Sequence, residues 1–439
     1  VTLRTTGRLL EPTLFDVNNP VPALPTATVQ RLEGVEWGAA APFAVPTLAA
    51  LARVLLDGRP AERELDALLR SCRDASAPAR RALAESLFGV SLWRRRLAWH
   101  AGSETPSALW SCFLVAAGCA PEAAARLAGP TAPLLLRPDA PTDLATSWSA
   151  PDWLAETLAS ELGQNGAADF LRAVSLPGPV TLRTNTLRTT RVDLARSLTE
   201  EGRSVQPTPF ARDGLFVLST RPNLYGLAAS RGSLFEVQDE GSQLLGELLD
   251  AQPGDTVLDL CAGAGGKTLQ LACHVGPRGT VHAFDIDLER LSRLYHRAER
   301  AGAHHVRIHR GVLPTALRAD RVLVDAPCSE LGALRRGPDA RFRMEPATFE
   351  RWPTLQLQLL EQGAAHVRPG GRLVYATCTL RHEENEDVAR AFEARHPGFR
   401  RLLPAWADPF EHQGFFRALP HLHGTDGFFA AVYEAPQFS

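Results

Sequence analysis

Two cysteines occupy matching places in this chain. Arg321-Val-Leu-Val-Asp325 runs into Ala-Pro-Cys328-Ser, and Arg372-Leu-Val-Tyr-Ala376 runs into Thr-Cys378-Thr. Upstream, Val257-Leu-Asp-Leu-Cys-Ala-Gly-Ala-Gly-Gly-Lys-Thr268 joins an apolar run to a turn containing Gly263, Gly265 and Gly266, then to the start of a helix. A strand, a glycine turn and a helix N-terminus gather backbone N–H groups and the helix dipole around a ligand's polar end. A phosphate-binding Walker loop requires glycine where Cys261 stands, and the dinucleotide fingerprint requires it where Thr268 stands. Asp259 followed by glycine at plus four and plus six fits an S-adenosylmethionine (SAM) site instead. Of 47 Lys plus Arg, one alone is Lys, and it is Lys267 in this turn. Lys is a compact point charge where Arg is a broad planar fork, so an ammonium is wanted there.

These parts suit one reaction. C5 of cytosine is too weak a nucleophile to take a methyl group unaided. A thiolate adding to C6 converts the ring to an enamine whose C5 attacks the methyl of SAM; the C5 proton then leaves and the thiol is eliminated. Nearby positive charge such as Lys267 favours the thiolate. The addition also needs a proton donor or a hydrogen bond at N3 or N4 of the base, for which Asp325 is placed. A second thiol assists release, and spacing leaves open which cysteine attacks.

The elements that position these residues follow from alternating strand and helix patterns, the mark of a parallel sheet covered on both faces. Expected strands are 257–260, Thr280–Asp285, Val306–His309, Arg321–Asp325, Arg372–Ala376 and Phe428–Tyr433, with a helix over 287–301. Parallel strands put their carboxyl ends on one rim, so Cys328 and Cys378 should share a crevice with the glycine turn, and Asp285 should meet a ribose. Before this domain, Val180–Leu187 alternates as a strand does and 192–202 reads as a helix, giving a small α+β module. From Val45 to Gly129 the apolar spacing is helical. Residues 1 to about 40 read as an irregular arm, and the prolines at 130, 133, 138 and 141 as a linker. Trp93-Arg-Arg-Arg-Leu-Ala-Trp99 is either an RNA contact or tryptophan packed in the bundle with arginine outside.

Net charge is −2, so no global basic signature marks a nucleic-acid binder and any such surface is local. No signal-peptide core and no run near the ~18 apolar residues of a membrane span is read, which places the chain in the cytoplasm. The seven cysteines show no CxxC pair and no zinc spacing, so no metal is expected.

Asp259-Leu-Cys-Ala-Gly-Ala-Gly-Gly-Lys-Thr, Asp325-Ala-Pro-Cys-Ser, Tyr375-Ala-Thr-Cys-Thr and Glu383-Glu-Asn385 resemble the signatures of the RsmB/NOP (Sun, Fmu) family of RNA cytosine-5 methyltransferases. So do Arg183-Thr-Asn185, Val237-Gln-Asp-Glu-Gly-Ser242 and Gly424-Thr-Asp-Gly-Phe-Phe429. The resemblance runs from about Trp153 to the end. It implies a Rossmann-like class I SAM-dependent methyltransferase domain (241–439), preceded by a small α+β RNA-positioning module (146–240) and a NusB-like helical RNA-binding domain (1–145). It makes Cys378 the nucleophile and Cys328 the release thiol, with Lys267 and Asp325 beside them. Cys261, Ala262, Gly263, Ala264, Gly265, Gly266, Lys267, Asp285 and Asp325 would line the SAM and base sites. The implied substrate is RNA, most of all small-subunit (16S) ribosomal RNA, with the chain a monomer off the membrane. The alternatives are a transfer RNA enzyme or a non-catalytic ribosome-assembly factor.

Two departures bear on the site. Val312 stands where the family has an acid that meets the adenine amino group, and Glu330 where it has a small residue. RNA contacts are expected from Arg183 and Asn185 and from Arg335, Arg336, Arg341 and Arg343, four arginines in ten residues around Phe342. The target base must leave its stack to reach a crevice thiol, so loops and single strands are the plausible substrates.

Overall fold

The computed structural model describes residues 23–129, 139–218, 223–337 and 339–437. They form two compact units, Val1–Ala150 and Pro151–Ser439.

The first unit is helical. Its central helix, Ala77–Ala101, starts where the Ser76 hydroxyl accepts from Ala79 N and ends at Gly102 in the left-handed region. Gly89 has no side chain because the ring of Phe113, on the helix Pro106–Ala116, fills that space; a Cβ there would lie 2.2 Å from Phe113 Cζ. The expected arm is helical where described, over Thr26–Leu32 and Trp37–Phe43, and its first 22 residues lie outside the described residues. So does most of the expected linker, 130–138. The stretch Trp37–Leu55, of hydropathy 1.5, is long and apolar enough by composition to cross a membrane, against the sequence expectation. Trp37, Ala40, Ala50, Leu51 and Val54 from it are buried in the helical core. Trp93 is also buried, and its ring meets Trp148 at 6.2 Å. Arg95 and Arg96 turn to backbone carbonyls of Ala150 and Ser147 at 3.1 and 2.7 Å, so these residues pack within the unit, while Trp99 is exposed.

The second unit opens with the helix Asp152–Val174 and a small antiparallel sheet of β1 (Val180–Thr184), β2 (Val205–Pro207), β3 (Gly214–Val217) and β4 (Phe235–Val237), ordered β2-β3-β1-β4. The large sheet follows: β5 (Thr256–Asp259), β6 (Thr280–Phe284), β7 (Val306–His309), β8 (Ala319–Asp325), β9 (Val367–Thr377), β10 (Arg400–Leu402), β11 (Glu411–His412), β12 (Phe415–Ala418) and β13 (Phe428–Glu434). Its order is β11-β12-β13-β9-β8-β5-β6-β7, with β10 beside β13. Strands β5 to β9 are parallel and β13 runs antiparallel to β9. From β5 the chain winds outward through β6 and β7, then returns to the other side through β8 and β9. The winding therefore reverses between β5 and β8, and ligands bind outside the strand ends at such a reversal. Val257, Leu258, Val322, Leu323, Val324, Leu373 and Val374 are buried with helices on both faces, as central parallel strands require.

Candidate active site

Asp259 ends β5, and the chain then turns through Gly263 (φ 53°) and Gly265 (φ 91°) into the helix Gly266–Val275. Gly265 is obligatory twice over, since its φ is left-handed and a Cβ would lie 2.2 Å from Leu294 Cδ1. Gly265→Ala is expected to cost about 1–3 kcal/mol, read as a lower Tm, and to weaken SAM binding. Gly266→Ala has nothing within 4 Å of its Cβ and should keep the wild-type Tm. Equal melting of the two variants would contradict this account of the turn.

The turn opens onto a cavity of about 510 Å³. Cys261, Ala262, Gly263, Ala264, Gly266, Lys267, Asp285, Asp325, Cys328 and Cys378 all line it; Gly265 lies behind the wall. Asp285, just past β6, accepts from Gly263 N at 2.7 Å and Asp287 N at 2.8 Å. A carboxylate has about four acceptor directions, so it keeps capacity for hydroxyl donors. Asp259 is buried, with Oδ2 accepting from the Thr268 hydroxyl at 2.7 Å and Oδ1 left without a partner. Burial raises its pKa to about 7; the Thr268 bond opposes this and the Asp325 charge adds to it. Burial likewise pushes the Cys261 thiol far up, helped by Asp259, Asp325 and Asp285, so Cys261 forms wall and is no nucleophile.

Lys267 Nζ donates to Asp325 Oδ2 at 2.7 Å and lies 5.7 Å from the centre of the Phe428 ring. Burial acts to lower its pKa, but the Asp325 charge and hydrogen bond outweigh that and the net shift is upward. Cys328 and Cys378 place their sulfurs 3.4 Å apart, with Cys328 buried and Cys378 the more open. The Cys378 thiol is pushed well up by its bond to Cys328, then by burial and the charges of Asp325 and Glu330. One expectation is qualified here: Lys267 is bonded to Asp325, and the net push on the Cys378 thiol is upward, so the nearby ammonium does not leave Cys378 a thiolate at rest.

The expected RNA contacts fare differently from the cavity residues. Arg183 is buried, donating to Gln238 Oε1 at 2.6 Å and Gly266 O at 3.4 Å. Asn185 is buried against Ser233 O and Ala301 O, each at 2.9 Å. Both hold the small module to the larger domain. Arg341 is fully buried, and Arg335 is 4% exposed between Asp239 and Asp426. Arg336, 40% exposed, bonds the same two carboxylates at 2.7 Å, and Arg343 is 2.7 Å from Asp339. Arg183, Asn185, Arg335 and Arg341 are therefore interior groups, and RNA reaches at most Arg336 and Arg343 of the six. Asp239 and Asp426 come from two of the quoted motifs, which meet to cage these arginines.

Glu330 lines the cavity in the left-handed region (φ 58°), while Val312 is 80% exposed. Sequence reasoning missed Leu355 and Leu359, cavity residues on the helix Trp352–His366. Their four-residue spacing in Leu355-Gln-Leu-Gln-Leu359 was the available signal.

The sequence profile of the 16S rRNA methyltransferase RsmB/F family matches residues 247–434, and that of the RsmF/B-like ferredoxin-like domain matches 150–222. A Synechocystis sp. protein named a probable ribosomal RNA small subunit methyltransferase B is 34% identical over 299 residues, 66% of this chain and 67% of that one. A mouse protein named 28S rRNA (cytosine-C(5))-methyltransferase is 32% identical over 317 residues, 66% of this chain and 40% of that one. The crystal structure of PH0851 superposes with a TM-score of 0.72 at 26% identity, over 91% of this chain and 98% of that one. The chain spans about two thirds of the length of the first bacterial relatives it matches.

Proposed function

This chain belongs to the RsmB/F family of 16S rRNA methyltransferases, and from there we propose that it moves a methyl group from SAM to C5 of a cytosine in small-subunit ribosomal RNA through a covalent cysteine–C6 adduct. The observation that carries this reading is the thiol pair, 3.4 Å apart in the wall of a cavity that also holds the Lys267–Asp325 ion pair. In this reading residues 1–145 and 146–240 bind and position RNA in the cytoplasm, 241–439 do the chemistry, and the chain acts as a monomer.

The cavity fits SAM. Asp259, Asp285, Asp325 and Glu330 line it against Lys267 and Arg290, so it favours a cationic ligand. Residues 261–267 and Asp285 would hold it, with the free Oδ1 of Asp259 available to an ammonium. When bound, SAM supplies an electrophilic methyl group. The protein's own part begins with Asp325, whose carboxylate accepts from the N4 amino group of cytosine, a donor that uracil lacks. Lys267 holds that carboxylate in place through their 2.7 Å bond. Cys378, the more exposed of the two residues, gives its proton to water and bonds to C6, so that the C5=C6 electron pair moves onto C5, the atom to be methylated. In release the C5 proton passes to water, with Cys328 the nearest thiol to relay it; its bond pair re-forms C5=C6, and the C6–S bond breaks with its pair staying on Cys378.

Incubating the protein with methyl-labelled SAM and unmodified small-subunit rRNA, then digesting to nucleosides, tests the reading. Label in 5-methylcytidine supports it; label in another nucleoside, or none, overturns it.

Asp259 adds a pH signature. Its folded pKa of about 7 is raised above the unfolded carboxyl value, so it favours folding most below about pH 4 and loses that contribution as pH rises toward 7. A ligand ammonium against Oδ1 reverses the preference, so SAM binding should release about half a proton near pH 7 and fewer above pH 8. Calorimetry in two buffers of different ionisation enthalpy reads this directly. Buffer-independent enthalpies at pH 6–7, or buffer dependence that survives Asp259→Asn, would refute it.

A further inference from the structure

The two sulfurs sit on separate loops, one after β8 and one after β9, and the short turn His382–Glu384, with Asn385 after it, joins them. Glu384 in that turn is fully buried. Its Oε2 accepts from Ser329 N at 3.0 Å and from Gln356 Nε2 at 3.0 Å; its Oε1 accepts from Arg381 Nη1 at 3.2 Å. The same Gln356 nitrogen donates to Pro327 O at 2.9 Å. The residues on both sides of Cys328 are thus tied to one carboxylate. Asn385 does the same for Cys378: Thr377 Oγ1 donates to its Oδ1 at 2.5 Å, and its Nδ2 donates to Thr379 O at 3.1 Å. The Ser329 and Thr379 hydroxyls meet at 2.7 Å and Tyr375 OH donates to Glu384 O at 2.5 Å, closing the ring of bonds between the loops.

We propose that Glu384 is a positioning residue for the thiol pair: through Ser329 and Gln356, with Asn385 beside it, it sets the separation at which Cys328 and Cys378 meet. The inference rests on the reading of these thiols as nucleophile and release group. Glu384 is outside the cavity wall and touches no reacting atom. The carboxylate is specifically required, because every neighbour it meets through its two oxygens is a donor. A glutamine would turn its own N–H groups toward Arg381 or toward Ser329 N, leaving a buried donor unpaired. The consequence is movement of one loop against the other, and a misplacement of about 1 Å costs on the order of 10²-fold in rate.

Glu384→Gln and Gln356→Met test this by four readouts: Tm, SAM affinity, kcat on rRNA, and the pH profile of Cys378 alkylation by iodoacetamide, followed on its peptide by mass spectrometry. The contact with Cys328 holds the Cys378 thiol up, so loosening the pair moves the alkylation midpoint to lower pH. For Glu384→Gln the expected result is kcat down about 10²-fold, SAM affinity within about twofold, and the lowered midpoint. Gln356→Met should move both quantities the same way, with kcat down about tenfold. A folded Glu384→Gln protein with the wild-type alkylation profile overturns the proposal, whatever its kcat. If Glu384→Gln gives no cooperative melt, Gln356→Met decides by the same criterion. Should the wild type methylate no RNA, the functional reading fails while the alkylation profiles still judge the brace.

Discussion

Alanine at Cys378 is expected to abolish methyl transfer, a loss of about 10⁴-fold or more, and to leave no protein–RNA adduct on a denaturing gel. Alanine at Cys328 should do the opposite to the adduct: a covalent band accumulates with cytosine-containing rRNA and SAM while turnover falls by about 10²-fold. The asymmetry follows from position. Cys378 is the more exposed residue, whereas Cys328 is buried, with the two sulfurs 3.4 Å apart. Removing Cys328 spares the attack and takes away the group beside the C6–S bond when it must break. Removing Cys378 takes away the bond itself. Cys328→Ala also relieves the contact that raises the Cys378 thiol, so adduct formation should extend to lower pH in that variant. If Cys378→Ala is the variant that traps RNA, the roles are exchanged. If neither variant and not the wild type forms an adduct or transfers methyl, the covalent route is wrong.

The catalytic rim was readable in the sequence because parallel strands are short apolar runs and their ends carry polar residues. Val306–His309 is a strand over the expected residues, 321–325 and 372–376 lie inside longer strands, and the expected 257–260 is shifted by one residue to Thr256–Asp259. Once their common direction is inferred, Cys328 and Cys378 are expected to share one crevice with the Gly263–Lys267 turn, and Cys328, Cys378, Gly263 and Lys267 line one cavity. The arginine-rich stretch misled for a physical reason: a row of charges reads as solvated unless its partners are known. Those partners, Asp239 and Asp426, lie about a hundred residues away on either side, so the cage around Arg335 and Arg336 exists only after folding. The resting state of Cys378 was hidden likewise. From the sequence Lys267 looks like a free cation, and only tertiary structure commits it to Asp325. The helix Trp352–His366 escaped because its apolar face is interrupted by glutamines, one of which, Gln356, is fully buried as a bridge to Glu384.

Lys267→Met should lower kcat/KM for RNA by about 10³-fold, and the reason separates it from simple loss of a positive charge. Lys267 is 12% exposed and Asp325 28% exposed, in a cavity that also holds Asp259, Asp285 and Glu330. Without the ammonium at 2.7 Å, the Asp325 carboxylate loses the donor that fixes its orientation beside Asp259, Asp285 and Glu330. A carboxylate no longer held there presents its acceptor poorly to the N4 amino group of the proposed cytosine. Asp325→Asn removes the charge that outweighs burial at Lys267, so the lysine pKa falls, and it can turn an amide N–H where N4 needs an acceptor. Breaking one side of such a pair costs about 3–5 kcal/mol when burial is complete, and less here because Asp325 is partly open to solvent. The double variant Lys267→Met/Asp325→Asn therefore should melt no lower than the worse single variant, and its activity should be no worse. Lys267→Arg keeps the charge but not the compact shape, and is expected to recover stability more than rate. Additive losses in the double variant would mean that the two residues act separately. The ion pair would then be a feature of packing, and the acceptor for N4 would have to be sought at Glu330, the other carboxylate in the cavity that acts on Cys378.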